Sequence, residues 1–412
     1  MTTTVAPSTG DALAALRRSR WPLPWRYVVT RALALWLATR LLDGALTVLF
    51  TSGSAAQRLD HWVFFDGWQY IYIGVRGYAT PYTWLAAYFP LYPLLMHPWL
   101  WPYSPYHWLS PRHEVVALVV SNLGTLAAFV AVGLLGASMR RTARAAWAPM
   151  LLLAASPLGV FLTGAYADGL FIALVAWALL AARRGAWGWA ALAVTLAVVT
   201  RPFGVLLVPA LVVDYGSQHG WGWRLRIRMF ARPARATVGH VALLVLTPAS
   251  AFGAFLAMLV RQYGDPLATV HAGSRAFGHA LRWPWQTLGL AWQQLVVLPH
   301  WSWQTAHLLL DLLPVLCCVA VVLITARSAP FAWTVLSSGV VLLCLVTPLV
   351  WPHFPDPLAS NGRYCYAAVP VLLQMGTWAQ RWPRWLMALL LSLSLVLQAA
   401  LTVFVLRGGW LV

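Results

Sequence analysis

Acidic side chains are scarce: Asp and Glu together number 10 in 412 residues, and charged residues of both signs make up 9% against 61% hydrophobic. So few charges cannot cover the surface of several packed soluble domains, which excludes an ordinary soluble enzyme. Lysine is absent altogether, so all 28 basic residues are arginine, a usage that fits a GC-rich, bacterial genome. Cysteine is limited to Cys317, Cys318, Cys344 and Cys365. With no CxxC spacing, neither a disulfide framework nor a cysteine zinc site is supported. GxGxxG, GxxxxGK[ST], GxSxG and HExxH are all missing, which leaves nucleotide-binding, serine-hydrolase and zincin readings without support. No D-x-D pair occurs, so no metal motif assigns a ligand.

What is present is long apolar runs, such as Met150–Leu158, Leu170–Ala182 and Met387–Leu406, with a mean hydropathy of +0.70. An all-α polytopic membrane protein is the class these runs define. A net charge of +18 would suggest nucleic acid in a soluble chain. Here the arginines lie in short clusters between apolar runs, so they read as topology signals and phosphate ligands, and nucleic acid is not an expected partner. Spans are expected near 29–50, 114–137, 145–163, 167–182, 187–200, 203–215, 238–260, 306–325, 329–350, 364–378 and 385–406. These are about eleven crossings at roughly 20 residues each, some of them shorter. Residues 1–28 read as a cytoplasmic segment rather than a cleaved leader, because the stretch after Arg31 is long enough to span and no A-x-A site follows. The whole of 1–412 reads as one membrane domain of a plasma membrane.

Arginine sets the orientation. With the N-terminus cytoplasmic, the inner segments hold Arg17, Arg18, Arg20, Arg26 and Arg31, then Arg140, Arg141 and Arg144, then Arg183 and Arg184. The series continues with the run from Arg224 to Arg235 and ends with Arg327, Arg381 and Arg384, in keeping with the positive-inside rule. Two long loops, near 51–113 and 261–305, then face outward. Their Trp, Tyr, Pro and His content suits helices lying at the membrane interface.

With acids so few, each can be weighed. Asp43 follows Arg40 by three residues, which is ion-pair spacing on a helix. Asp311 has no evident partner in its span. Asp66 begins a stretch, Asp66 to Val75, patterned as a short amphipathic helix that Gly77 would stop. It is either the N-cap of that helix or, as an isolated carboxylate between Phe65 and Trp68 at the membrane surface, a general base. Asp168, in Tyr166-Ala167-Asp168-Gly169, offers the same choice between cap and function. Arg201 and Arg363 sit on the outer side, against the topology rule and close to tyrosines. That placement favours an anion site over snorkelling.

Taken together, these residues resemble the bacterial relatives of the PIG-V type (GPI mannosyltransferase 2-like) family of the GT-C membrane glycosyltransferases. The family pattern, roughly W-D-x-x-W-Y-x-x-I-A-x-x-G-Y, is approached here by Phe65-Asp66, by Trp68 one position before the pattern's second Trp, and by Tyr70, Ile73-Gly74 and Gly77-Tyr78. The following F-F-P-L-Y-P is met by Tyr88-Phe89-Pro90-Leu91-Tyr92-Pro93. Y-x-E-x-L-F corresponds to Tyr166, Asp168, Leu170 and Phe171; T-R-x-x-G to Thr200, Arg201 and Gly204; and S-x-x-R-Y to Ser360, Arg363 and Tyr364. The departures are Phe65 for Trp, Gly74 for Ala and Asp168 for Glu.

The resemblance implies a polyprenyl-phosphate-linked hexose donor, mannose by analogy, and a glycan, glycolipid or protein acceptor outside the cytoplasm. It implies no organic cofactor; a divalent metal is compatible with the chemistry, though no motif supplies its ligands. A phosphate leaving group needs charge compensation more than a proton, so one carboxylate with arginines suffices. On that reading Asp66 is the catalytic base and Arg201 and Arg363 hold the donor phosphate. Asp168, Tyr166, Trp68, Tyr70, Tyr92 and Tyr364 shape the sugar and acceptor pocket. The rivals are a transporter or flippase of lipid-linked sugars and a non-enzymatic scaffold. A flippase would be expected to carry charges deep in its central spans.

Overall fold

The structure, a computed structural model, describes residues 22–78, 81–97, 112–219, 235–300, 302–350 and 356–411. Arg17, Arg18, Arg20 and the run Arg224–Arg232, used above to orient the chain, lie outside them. Among the described residues the fold is all-helical, and an isolated bridge between His279 and Leu349 is the one strand-like pairing. Five helices are long and apolar enough to cross a membrane: Trp25–Phe50, His113–Arg140, Val238–Tyr263, Trp303–Thr325 and Arg384–Leu406. The other six expected spans are also helical, but each contains helices of at most 16 residues, short of the roughly 20 that a crossing needs. The expected span 145–163, for instance, breaks after Trp147–Ala154 and resumes as the single turn Val160–Thr163, with Ser156-Pro157 between them. Among the described residues, five of the eleven expected spans are thus single helices of spanning length.

The helix Trp25–Phe50 carries the signature of a lipid-facing element. Thr39, Asp43 and Thr47 are buried, at spacings of four on one face, while Leu41 and Leu49 are 72% and 73% exposed. The polar groups turn inward because hydrocarbon offers them no partner. The expected Arg40–Asp43 ion pair is replaced by bonds to neighbouring elements. Arg40 Nη1 donates to Asn122 Oδ1 at 2.6 Å and to the Leu162 carbonyl at 3.3 Å, and Asp43 Oδ2 accepts from Thr163 Oγ1 at 2.6 Å. Trp62 Nε1 donates to Thr47 Oγ1 at 3.0 Å. This polar strut fixes the turn 160–167 against two long helices and so sets the position of Tyr166 and Asp168.

Two cores differ in chemistry. The larger is built of small aliphatic residues from His113–Arg140, Asp168–Arg183, Trp187–Val198 and Leu207–Gln218. There His113–Arg140 and Asp168–Arg183 approach backbone to backbone: a Cβ on Gly124 would lie 2.6 Å from the Leu170 amide nitrogen. Small residues at such a seam are the usual means of close helix packing in membranes. The second core is aromatic. It gathers Trp62, Phe64, Tyr70, Tyr88 and Tyr92 of the first long loop against Phe161 and Tyr166. The first loop itself folds into Ala55–Asp60, Asp66–Arg76, a 3-10 turn Thr83–Ala87 and Leu91–Leu95. Gly77, at φ 74°, ends Asp66–Arg76, a backbone angle that glycine adopts at little cost.

Candidate functional site

Four charged side chains from four separate motifs converge at the edge of the aromatic core. Asp66 lies in the first turn of Asp66–Arg76, but it is not a cap: the capping position falls to Phe65, with no side-chain capping bond. Its carboxylate is used elsewhere. Tyr88 donates its hydroxyl to Asp66 Oδ1 at 3.0 Å, and Arg363 donates from Nη1 and Nη2 to Oδ2 at 3.5 and 3.4 Å. The Asp66 amide donates to Tyr166 Oη at 3.2 Å. Asp168 likewise follows its capping residue, Ala167, and its carboxylate forms a buried ion pair with Arg201.

Aromatic faces surround the cations. The Arg363 guanidinium lies 4.9 Å from the ring centre of Phe161 and 5.2 Å from those of Tyr166 and Tyr364, and Arg201 lies 5.8 Å from Tyr364. Desolvated cation–π contacts of this kind contribute about 2 kcal/mol each. Arg363 also donates to Ser360 Oγ and Tyr364 Oη, both at 3.4 Å. Tyr70 is buried, edge-on to Tyr88 at 5.2 Å and to Tyr92 at 5.1 Å. Burial, with Asp66 adding to it, pushes the Tyr88 and Tyr166 phenols well above the ordinary tyrosine range, so both keep their protons at neutral pH. Tyr88 is therefore a fixed donor to the Asp66 carboxylate.

Backbone strain marks the same place. Three non-glycine residues among those described have positive φ, and two of them, Phe65 at 42° and Ser360 at 71°, immediately precede the segments that carry Asp66 and Arg363. Such angles cost on the order of 1–3 kcal/mol each and cluster at functional sites. In addition, Arg201 Nε and Arg363 Nε are buried N–H groups without a hydrogen-bond partner. Buried donors in that condition are rare.

Not every expected residue contributes in the same way. Asp66, Asp168, Tyr166, Arg201, Arg363, Tyr364 and Tyr70 come together. Tyr92 is fully buried and donates its hydroxyl to the Ala117 carbonyl at 2.8 Å, which makes it a support for Tyr70. Trp68 is 46% exposed. Asp66 is half-buried rather than enclosed, with its side chain 25% exposed, so it keeps a route to the outside while Arg363 beneath it does not. Sequence reasoning passed over Tyr88 as an Asp66 partner, Phe161 as a platform, and a second cluster in which His307, Asp311 and Asp356 meet. Asp311 thus has partners after all: it accepts the Gly362 amide at 2.6 Å and lies 3.9 Å from His307 Nδ1. Compared with known protein families and with curated proteins, the sequence finds no match.

Proposed function

We propose that the chain is an inverting membrane glycosyltransferase that moves a hexose, mannose by analogy, from a polyprenyl-phosphate-linked donor to an acceptor hydroxyl outside the cytoplasm. The observation that carries this reading is the Asp66–Arg363 contact. A partly exposed carboxylate lies 3.4 Å from a buried guanidinium, which supports a base and a phosphate ligand acting side by side. The resemblance of the motifs around Asp66, Asp168, Arg201 and Arg363 to the PIG-V type family supports the same assignment.

The chemistry follows from the placement. The acceptor oxygen attacks the anomeric carbon while Asp66 takes its proton; the bond from that carbon to the phosphate oxygen breaks, and the phosphate leaves with the electron pair. Attack opposite the leaving group inverts the anomeric centre. Arg363 receives the developing negative charge in a site walled by Phe161 and Tyr166, where exclusion of water strengthens the interaction. Arg201 is already matched by Asp168, so its part is to position that acid against the sugar and to supply Nε to the anion. The membrane-buried tail of the donor would lie along the exposed apolar helix faces.

The test is incubation of purified protein with polyprenyl-phosphate-mannose and candidate acceptor glycans, reading free polyprenyl phosphate and glycosylated acceptor. Movement of the intact donor across a vesicle membrane without bond cleavage would replace this reading with the flippase. Orientation is tested separately, with cysteine placed at Ser54 or Ser274. Both should react with an impermeant thiol reagent in intact cells, and protection of both would reverse the assignment of the two long loops to the outer side.

A further inference from the structure

Behind the strained turn that carries Arg363, three buried ionisable groups converge from distant parts of the chain. His307 and Asp311 are one turn apart on Trp303–Thr325, and Asp356 begins the segment that leads to Arg363. One atom of each, His307 Nδ1 and one oxygen of each carboxylate, lies within 4.8 Å of the other two. His307 Nδ1 is 2.8 Å from Asp356 Oδ2 and 3.9 Å from Asp311 Oδ2. All three side chains are nearly sealed from solvent, at 3 to 6% exposure.

The surroundings orient every member of the group. Asp311 Oδ1 accepts the Gly362 amide at 2.6 Å and Asp356 Oδ1 accepts the Leu358 amide at 2.8 Å, which leaves the other oxygen of each turned to the imidazole. The imidazole also hydrogen-bonds the backbone of Leu411, and its face stacks on Trp410 at 6.0 Å. Nδ1 meets Asp356 Oδ2 at hydrogen-bond distance, and a second carboxylate 3.9 Å away adds a further negative charge that a dication would offset. Arg363 acts on Asp311 from a distance, while its guanidinium bonds Asp66. Hydrogen bonds from a ligating histidine to backbone or carboxylate oxygens commonly accompany metal ligation.

We propose that His307, Asp311 and Asp356 hold a first-row transition-metal dication. An imidazole nitrogen with two carboxylate oxygens is a donor set that suits zinc or manganese. Metal–ligand bonds of roughly 2.0–2.2 Å put tetrahedral ligands about 3.4 Å apart. The site would close around an ion by opening the 2.8 Å contact, shortening the 3.9 Å one and drawing the two carboxylates, now within 4.8 Å, together. The ion bridges a membrane helix to the segment 356–363, and through Gly362 it pins the backbone next to Arg363. A Cβ on Gly362 would come within 2.6 Å of the Leu310 carbonyl oxygen, so this seam admits glycine alone. The site stands independently of the glycosyl-transfer reading.

The experiment uses the full chain in detergent, freed of adventitious metal with a chelator and titrated with Co²⁺ as a spectroscopic probe. One equivalent should bind, with visible d–d absorption and a raised thermal midpoint. His307→Gln and Asp356→Asn should each weaken binding by more than about 100-fold, since loss of even an outer-shell partner costs 10–100-fold. Glu114→Gln, away from the cluster, should leave binding unchanged. If the variants do not fold, X-ray absorption of Co²⁺ bound to the unaltered chain decides: an imidazole-plus-oxygen shell supports the site, and a shell of water oxygens or cysteine sulfur overturns it. Absence of stoichiometric binding, or full binding by a folded His307→Gln variant, also overturns it, and the cluster is then a triad that shares a proton.

Discussion

Two ion pairs stand side by side in the charge cluster and differ in kind. Asp168 and Arg201 are closed in, with 3% and 8% of their side chains exposed, and they meet directly. Asp66 and Arg363 meet at 3.4 Å, near the limit of an ion pair, and Asp66 remains 25% exposed above a guanidinium that is 3% exposed. A buried pair of the first kind holds structure, because either charge left alone in a dry site is costly. A loose, half-open pair can exchange partners with an incoming anion. On the proposed reading the cluster divides its labour: one pair fixes the geometry and the other is the one an incoming anion would meet.

The sharpest break in that comparison comes from Asp66→Asn. The substitution preserves size and the Tyr88 contact and removes the ability to take a proton, so turnover should fall by about 10²–10⁴-fold, the scale of general base catalysis. Donor binding should persist, and thermal stability should fall only modestly, because Asp66 is partly exposed and Asp168 still attracts Arg363. Turnover within a few-fold of the unaltered chain removes Asp66 from the base role and makes Asp168 the next candidate. Asp168→Asn should show the opposite profile. It leaves Arg201 buried without a counter-charge, at a cost of about 3–5 kcal/mol, and chiefly lowers the folded fraction in thermal or denaturant titration. If both variants lose stability equally, the two pairs are not different in kind.

Much of this site was legible in the sequence because ionisable residues are so few. Asp66, Asp168, Arg201 and Arg363 each stand alone in an apolar or aromatic setting, where a charge must have a reason. What remained illegible was pairing. The i, i+3 spacing of Arg40 and Asp43 suggested an ion pair, but Asn122 and Thr163 on neighbouring elements offered both residues better-placed partners. Asp311 looked solitary although His307 stands one turn before it on the same helix, and its hydrogen-bond donor, the Gly362 amide, comes from a distant part of the chain. The all-helical class was clear from hydropathy, whereas the unbroken length of each helix was not. Runs such as 145–163 are apolar enough to cross yet break at Ser156-Pro157, a local backbone effect that a hydropathy average does not register.

A finer test separates the two arginines. Arg363→Lys keeps the charge and loses the planar fork, and with it one charge-assisted hydrogen bond of about 1.5–3 kcal/mol. Donor affinity should fall by roughly 10–100-fold at that exchange rate. Arg201→Lys should act first on stability, since its main partner is Asp168 rather than the donor. Binding of a radiolabelled donor and thermal midpoints, measured on the same preparations, distinguish the two. Unchanged donor affinity in both variants would take the phosphate role away from this cluster.

The smallest expected effect tests whether the open pair is itself aimed. Tyr88 donates to Asp66 Oδ1 at 3.0 Å, and burial keeps that phenol protonated well beyond the ordinary tyrosine range, so the bond persists at any working pH. Tyr88→Phe removes one hydrogen bond, worth about 0.5–1.5 kcal/mol, and water can partly replace it because Asp66 is accessible. Turnover should fall by roughly 2–10-fold with donor affinity unchanged, the profile of a residue that positions the base. Tyr92→Phe is the matched comparison. Its hydroxyl bonds the Ala117 carbonyl at 2.8 Å, away from the carboxylate, so its loss should lower the thermal midpoint and leave turnover per folded molecule intact. Equal turnover losses in the two variants would mean that the aromatic core acts on Asp66 as a whole rather than through the Tyr88 hydroxyl.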